Sequence, residues 1–334
     1  MILLLFLIGT VTLAREYLPL NRTPKWKTNN PNYGPDFGQP EQIHLSLGEY
    51  RVGSEYGWSA VYRFTALKPR SDGGYVIAVF GDLGNQNGRS LAKLQRMAQD
   101  GDIDLVLHHE QFNRIVSWVL ANKALAILGD IAYNLDTDDG NVGDEFLRQI
   151  EPIAAYVPYM TAVGNHESAS NFSHYINRFT MPNSEHNLFY SFDLGSAHFV
   201  FFSTEFYFYT EYGWKQIQNQ WNWLIDDLMK ANKNRATVPW ILTFGHRPMY
   251  CSDFDGDDCT KYESIIRTGL PRTHAYGLEK LFYHHGIDIE IWAHEHTYER
   301  MWPVFNRTDE IQDDLWIMKH PGHSYRKEHH RYFL

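Results

Sequence analysis

Two histidines, His294 and His296, stand one residue apart after the apolar run "IDIEIWA" (287–293). Side chains alternate across a strand, so both imidazoles point to the same side if the strand continues through them. Such a pair could serve only in packing, or it could be a chance occurrence among the chain's 17 histidines. The third possibility is that it holds a metal ion. The metal interpretation requires donors of matching chemistry elsewhere in the chain.

Four other short apolar runs also end in polar residues that bind metals. The donors are Asp82 after "YVIAVF" (75–80), Asp130 and Tyr133 after "ALAIL" (124–128), Asn165, followed by His166, after "YMTAV" (159–163), and His246 after "WILTF" (240–244). Oxygen donors with imidazoles and no thiolate suit iron, zinc or manganese. With the histidine pair they are too many for one ordinary site. A carboxylate shared by two ions, roughly 3.5–4 Å apart, accounts for the surplus.

The elements between these runs predict how the donors come together. We expect a helix after Ser90 that ends at Gly101, a helix with Ile217, Trp221, Leu224 and Leu228 on one face, and a short helix in "GLEKLFYHHG". "NLFYSFDLGSAHFVFFSTE" predicts a strand, a turn and a strand. Strands alternating with helices indicate a layered α/β fold, in which ligands gather at the carboxyl ends of the strands.

The motifs "GDLG", "GDIAY", "GNHE", "GHRPMYC" and "AHEHTYER" together resemble those of the purple acid phosphatases, most closely the long animal form. That family lies within the calcineurin-like metallophosphoesterases, and Tyr133 makes the resemblance specific to it. The resemblance implies a four-layer α/β/β/α metallophosphoesterase sandwich over residues 74–305. A partial fibronectin-like β-sandwich at 38–68 would precede it, and a shortened tail of the family's type at 306–334 would follow.

The resemblance also implies a binuclear site and a reaction. Asp130 would bridge both metals, an Fe(III) ion would take Asp82, Tyr133 and His296, and an Fe(II), Zn or Mn ion would take Asn165, His246 and His294. The implied activity is that of an acid phosphatase, a phosphoric monoester hydrolase in which a metal-bound hydroxide attacks the phosphate monoester. His166 would contact the phosphate and protonate the leaving oxygen, or else only hold a metal ligand by a hydrogen bond.

Tyr133 has a chemical rationale as a ligand of the first ion. A phenol has a pKa of about 10 and binds as phenolate only where a strong Lewis acid displaces its proton. A trivalent ion does this readily, and its charge also lowers the pKa of bound water. One tyrosine therefore predicts an acidic pH optimum. The alternative is a core tyrosine near a strand end.

The start of the chain and its sequons predict a location. "MILLLFLIGTVTLA" (1–14) resembles a cleaved secretory signal, with a buried N-terminal element as the alternative. We therefore expect a secreted or lysosomal glycoprotein with glycans at Asn21, Asn171 and Asn306. In an oxidising compartment Cys251 and Cys259 form one small-loop disulfide, and the acidic residues between them read as a solvated loop.

Composition excludes some classes of partner. The formal net charge of −10 argues against a basic nucleic-acid-binding face. No segment after the leader has the roughly 18 consecutive apolar residues of a membrane span. The natural substrate, the second metal and the oligomeric state stay open.

The chain departs from the family pattern in three places. The N-terminal sandwich is partial, and the spacing from Asp82 to Asp130 is unusually long. "DLVLH" (104–108) and "ALAIL" (124–128) therefore compete for one central strand. We expect "ALAIL" to form it, because it is contiguous with Asp130, and the surplus to bulge out with a helix around Phe112, Ile115, Val116 and Val119. We expect the shortened tail to lack the strands that pair with the second half of the sheet.

These departures keep other functions open. One alternative is a catalytically silent secreted isoform that binds phosphate or a partner, or that misfolds and is retained. Another is a phosphodiesterase or nucleotidase on the same scaffold, against which Tyr133 weighs. The signal-like start and the sequons disfavour a cytosolic protein phosphatase.

Overall fold

A three-stranded sheet and a five-stranded sheet form the centre of the protein. The computed structural model describes residues 42–46, 49–54, 57–58, 60–64, 67, 74–80, 83–85, 90–108, 130–184, 186–296, 299–309 and 332–333. The strands are β1 (Gln42–Ser46), β2 (Glu49–Ser54), β3 (Gly57–Trp58), β4 (Tyr62–Arg63), β5 (Ile77–Phe80), β6 (Leu105–His108), β7 (Tyr159–Thr161), β8 (Tyr190–Leu194), β9 (Ala197–Phe201), β10 (Trp240–Phe244), β11 (Ile289–Ile291), β12 (Val304–Phe305), β13 (Thr308–Asp309) and β14 (Tyr332–Phe333).

The order of the strands confirms the predicted mixed α/β arrangement. In the first sheet, β5, β6 and β7 are parallel neighbours. The second sheet has the order β14-β11-β10-β9-β8 and is parallel except for the β8–β9 hairpin. Buried residues of both sheets belong to one hydrophobic cluster, so the two sheets share a core.

Aromatic rings on neighbouring strands order the second sheet. Phe244 on β10 stacks on Phe201 and Phe199 of β9, with ring centroids 4.5 and 5.9 Å apart. Tyr190 and Phe192 of β8 continue the stack, at 4.7 Å from Phe201 and 5.2 Å from Phe199. Such pairs contribute about 0.5–1.5 kcal/mol each beyond area burial, so the stack stabilises the strand register.

The described residues form six α-helices, of which the first, fourth and sixth were predicted from the sequence. They are α1 (Leu91–Gln99), α2 (Asn141–Ala154), α3 (Ala169–Ile176), α4 (Lys215–Lys233), α5 (Ile265–Thr268) and α6 (Leu278–His285). Ile217, Leu224 and Leu228 of α4 are buried as expected, and α6 ends at Gly286, whose positive φ only glycine adopts freely. Among the described residues, no helix has the length and hydropathy needed to cross a membrane.

The expectation for the central strand of the first sheet was wrong. Leu105–His108, from "DLVLH", lies between β5 and β7 and pairs with both. Leu105, Val106 and Leu107 are buried, as a strand covered on both faces requires. "ALAIL" and the helix expected around Phe112, Ile115, Val116 and Val119 lie outside the described residues. The short connection from α1 to β6 would therefore have identified the central strand better than contiguity with Asp130 did.

The two ends of the chain also contribute strands. In the predicted 38–68 domain, β1 to β4 form one antiparallel sheet, and Tyr50 donates a hydrogen bond to the carbonyl of Ala155, just after α2, at 2.8 Å. The boundaries of that domain stay a prediction. At the other end, β14 pairs in parallel with β11. The shortened tail thus supplies an edge strand, contrary to the expectation that the sheet would lack one.

Candidate metal centre

Two predicted ligands lie side by side because the strands before them are parallel neighbours. β10 and β11 pair in register, and the pairing continues beyond them: the Gly245 amide donates to the Ile291 carbonyl at 3.1 Å. The Ala293 amide then donates to the His246 carbonyl at 2.8 Å. His246 and His294 follow at the carboxyl ends of these strands, where the fold is expected to hold ligands.

Three predicted donors of the second metal converge on one point. His246 Nε2 lies 2.8 Å from Asn165 Oδ1 and 3.0 Å from His294 Nδ1. Asn165 comes from the short 3-10 helix Asn165–Glu167 after β7, so the point joins the two sheets. His246 is fully buried. A pair of imidazole nitrogens and an amide oxygen therefore face one another within a shielded cluster.

This cluster fits a metal ion in its donor types and its spacing. In tetrahedral zinc sites, bonds of about 2.0–2.1 Å place neighbouring ligand atoms roughly 3.3–3.4 Å apart. The observed separations of 2.8 and 3.0 Å are slightly shorter. A small outward shift of the side chains would match them to the ion. The donor set also suits Fe(II) and Mn(II).

A second group surrounds Asp130, whose carboxylate is buried. Asp130 Oδ1 accepts a hydrogen bond from the His166 amide at 3.4 Å, and Oδ2 lies 3.2 Å from His166 Nε2. The ring of Tyr133 meets that of His166 edge to face, with centroids 4.8 Å apart. Asp130, Tyr133 and His166 are thus brought together as predicted, next to Asn165 of the first cluster.

The remaining predicted ligands are placed less completely. Asp82 lies outside the described residues. His296 is the more exposed of the two histidines, and partial desolvation, followed by the interaction with His294, lowers its pKa. β11 ends at Ile291, so strand alternation does not orient His294 and His296, and that part of the sequence argument was wrong.

His166 lies close to two other histidines and an arginine. Burial lowers the pKa of His166, and His294, His296 and Arg247 lower it further. Its Nδ1 lies 2.8 Å from Asn134 Oδ1, which accepts a hydrogen bond from that nitrogen. The imidazolium form is therefore present only in more acidic solution than for a free histidine.

Backbone strain accumulates at the same residues. Tyr133, Asn134 and His294 all have positive φ, at 52°, 73° and 71°. Left-handed conformations at residues other than glycine cost about 1–3 kcal/mol each and cluster at functional sites. The surrounding contacts hold these side chains in place at the expense of local stability.

Glu167 ties two of the motif loops together, a role that the sequence did not reveal. Its buried carboxylate accepts hydrogen bonds from the amides of Gly164 at 2.9 Å and Ile131 at 3.1 Å. Burial raises the pKa of Glu167 to about 7, although these backbone hydrogen bonds oppose the shift. Its place in "GNHE" was the only signal in the sequence.

The loop between the cysteines is built into the site. Cys251 and Cys259 form the predicted disulfide. The interpretation of the acidic residues as a solvated loop is wrong for two of them. Asp258 is buried and accepts hydrogen bonds from the Ser264 hydroxyl at 2.6 Å and the Ile265 amide at 2.9 Å, at the start of α5. Asp257 reaches His294 Nε2.

Arg247, which contacts that loop through Asp257, is held by several partners. Its Nε donates to both carboxylate oxygens of the buried Glu205, at 3.1 and 3.2 Å. Its Nη1 lies 3.3 Å from both carboxylate oxygens of Asp257. The guanidinium also stacks over Phe208, 4.3 Å from the ring centroid. These contacts fix a positive charge beside the histidine cluster.

The chain belongs to the calcineurin-like phosphoesterase family, whose model matches residues 75–298. It is similar to acid phosphatase type 7 of Homo sapiens, with 52% identity over 257 residues, and to that of Danio rerio, with 50% identity over 262 residues. Each alignment covers 77% of this chain, but only 54% and 55% of the relative. The chain thus spans about half the length of these relatives.

A solved structure confirms the predicted fold. The chain resembles a purple acid phosphatase from yellow lupin (Lupinus luteus) seeds, with a TM-score of 0.56 and 23% identity. The match covers 79% of this chain and 46% of that protein. The metallophosphoesterase sandwich and the resemblance to purple acid phosphatases, both predicted from five motifs, are confirmed.

Proposed function

We propose that this protein is an acid phosphatase of the purple acid phosphatase type that hydrolyses phosphate monoesters at a binuclear metal site. The observation that carries the proposal is the convergence of Asn165 Oδ1, His246 Nε2 and His294 Nδ1 beside the buried Asp130. Similarity to acid phosphatase type 7 supports the substrate class.

The residues divide between two ions as the family resemblance implies. Asn165, His246 and His294 would hold a divalent ion, either Fe(II), Zn or Mn. Tyr133, His296 and Asp82 would hold Fe(III), with Asp130 shared between the two. When bound, the ions would supply an activated water and the positive charge that neutralises the phosphate.

The side chains around the ions would orient the substrate and carry its proton. The Nδ1–H of His166 donates to Asn134, and its Nε2 lies 3.2 Å from Asp130 Oδ2 at the proposed metal site, so Nε2 is the nitrogen that would face the leaving oxygen. Arg247 would add a fixed positive charge for the phosphate oxygens. Because Glu205 clamps its guanidinium, Arg247 would contribute this charge without reorganisation.

The test is hydrolysis of an aryl phosphate from pH 4 to 8 by the wild type and the Asp130→Ala variant. We expect wild-type activity to peak in acid and the variant to lose at least about 10²–10³-fold, because both ions depend on that carboxylate. The matched control is Asp226→Ala on α4, an exposed aspartate away from the site. This control should retain full activity.

Metal analysis of the same samples separates the alternatives. Wild-type protein should contain two ions per chain and show visible phenolate–iron absorption. Soluble but metal-free and inactive protein would contradict the proposal and favour the silent isoform. Loaded protein that cleaves only diesters or nucleotides would instead identify a different phosphoesterase.

Secretion and glycosylation form a further part of the proposal. Asn171 and Asn306 are exposed, as glycan acceptors must be, whereas Asn21 lies outside the described residues. Expression in eukaryotic cells should deliver the protein to the medium, and an N-glycosidase should lower its mass. An unchanged mass, or protein found only in the cytosol, would exclude this location.

A further inference from the structure

We propose that Asp257 is a positioning residue for the second metal: its carboxylate accepts a hydrogen bond from the Nε2–H of His294, which places the lone pair on Nδ1, the nitrogen that would bind the ion. Asp257 was expected to lie in a solvated loop. The inference rests on the proposed binuclear site and adds a residue to its support.

The two nitrogens of His294 face different neighbours. Nδ1 points into the donor cluster, 3.0 Å from His246 Nε2, whereas Nε2 contacts Asp257 Oδ2 on the opposite side. A neutral imidazole carries one N–H, and only the other nitrogen has a lone pair for a metal. A carboxylate at Nε2 therefore selects the tautomer that binds through Nδ1.

Asp257 is held in place from several directions. Its Oδ1 accepts a hydrogen bond from the Asp258 amide at 2.6 Å, and its carbonyl accepts one from the Thr260 hydroxyl at 2.7 Å. The disulfide between Cys251 and Cys259 closes the loop around it. The carboxylate thus reaches His294 from a fixed backbone.

Arg247 supports the same arrangement from the other side. Its Nη1 lies 3.0 Å from His294 Nε2 and 3.3 Å from both oxygens of Asp257. In the proposed tautomer the arginine N–H and the Nε2–H of His294 are both donors, so the two would converge on the carboxylate rather than bond to each other. The buried Glu205 orients Arg247 and continues the network into the core.

The Asp257→Asn variant tests the tautomer directly. Its side-chain oxygen can keep the hydrogen bond from the Asp258 amide, which leaves the NH₂ group facing His294. An N–H at that place requires Nε2 to accept, so the proton moves to Nδ1 and blocks the metal position. We expect the dissociation constant for Zn²⁺, titrated into iron-loaded protein, to rise about 10–100-fold.

Other readouts distinguish positioning from folding. The iron-loaded variant should show the same phenolate–iron absorption as the iron-loaded wild type. The metal-free variant should have the same melting temperature as the metal-free wild type, because the packing is kept. Asp257→Ser, whose hydroxyl can cap the Asp258 amide but does not reach His294, should show the same loss of zinc affinity. Asp226→Asn, the matched control, should bind zinc like the wild type.

The outcomes for this inference and for the proposed function differ. If the wild type takes up no second ion, the binuclear proposal fails. If the wild type binds zinc and both Asp257 variants bind it equally well, only the positioning role is overturned. A variant that loses iron and zinc together with its melting transition would assign Asp257 to folding instead.

Discussion

The Gly245→Ala variant should lose about 3 kcal/mol or more of unfolding free energy, although it adds a single methyl group. Gly245 joins β10 to His246. A Cβ at this position would lie 2.6 Å from Phe202 Cε2 and 2.7 Å from Trp292 Cζ3. Real carbon atoms do not approach so closely, so one ring or the strand end must move.

Neither ring has room to move. Phe202 and Trp292 are buried and pack edge to face, with centroids 5.7 Å apart, and Phe202 also contacts Phe282 at 5.5 Å. A shift of the strand end would displace His246 instead. The same substitution should therefore lower both stability and metal content, because a close-packed interior transmits the strain to neighbouring residues instead of absorbing it.

Chemical denaturation of the metal-free protein measures this effect without the contribution of bound ions. Gly256→Ala is the control: no atom lies within 4 Å of the added Cβ, and only its positive φ of 89° opposes the change. That control should lose roughly 1–2 kcal/mol. Because Gly245 has no positive φ, a loss in Gly245→Ala no larger than that in Gly256→Ala would show that the ring contacts yield to the added methyl group.

Much of the site could be predicted because short apolar runs in the sequence mark where strands end. β10 matches the predicted run "WILTF" residue for residue, and β7 and β11 lie within theirs. A glycine and a polar residue directly after such a run mark the edge of the sheet where ligands gather. His246 and Asn165 meet there although they are far apart in the chain.

The errors arose where local pattern and tertiary context disagree. "ALAIL" is wholly apolar and "DLVLH" is not, yet pairing with both neighbours shows that β6, from "DLVLH", takes the central place. Asp257 was treated as solvated because its neighbours are acidic. Its contact with His294 depends on the fold of two distant segments, and no spacing in the sequence encodes it.

Replacing Tyr133 with phenylalanine should abolish the visible phenolate–iron absorption of the proposed site and weaken iron binding. The ring itself should stay in place, because its packing against neighbouring residues is unchanged. It packs on His166 and alongside Gly84, where even an added Cβ would be 3.2 Å from Tyr133 Cδ2. Only the oxygen that a trivalent ion would bind is removed.

Loss of a group that hydrogen-bonds to a metal ligand lowers metal affinity or activity roughly 10–100-fold. Tyr133→Phe removes a ligand itself, so its acid phosphatase activity should fall by at least that factor. Tyr209→Phe is the matched control, since the Tyr209 hydroxyl also reaches the site, donating to the Asn165 carbonyl at 3.4 Å. Colour should persist in that control and vanish in Tyr133→Phe. Colour retained in both variants would mean that Tyr133 is not the iron ligand.

The link from this one residue to an acidic optimum would then fail, because without the phenolate nothing in the described donor set favours a trivalent over a divalent ion.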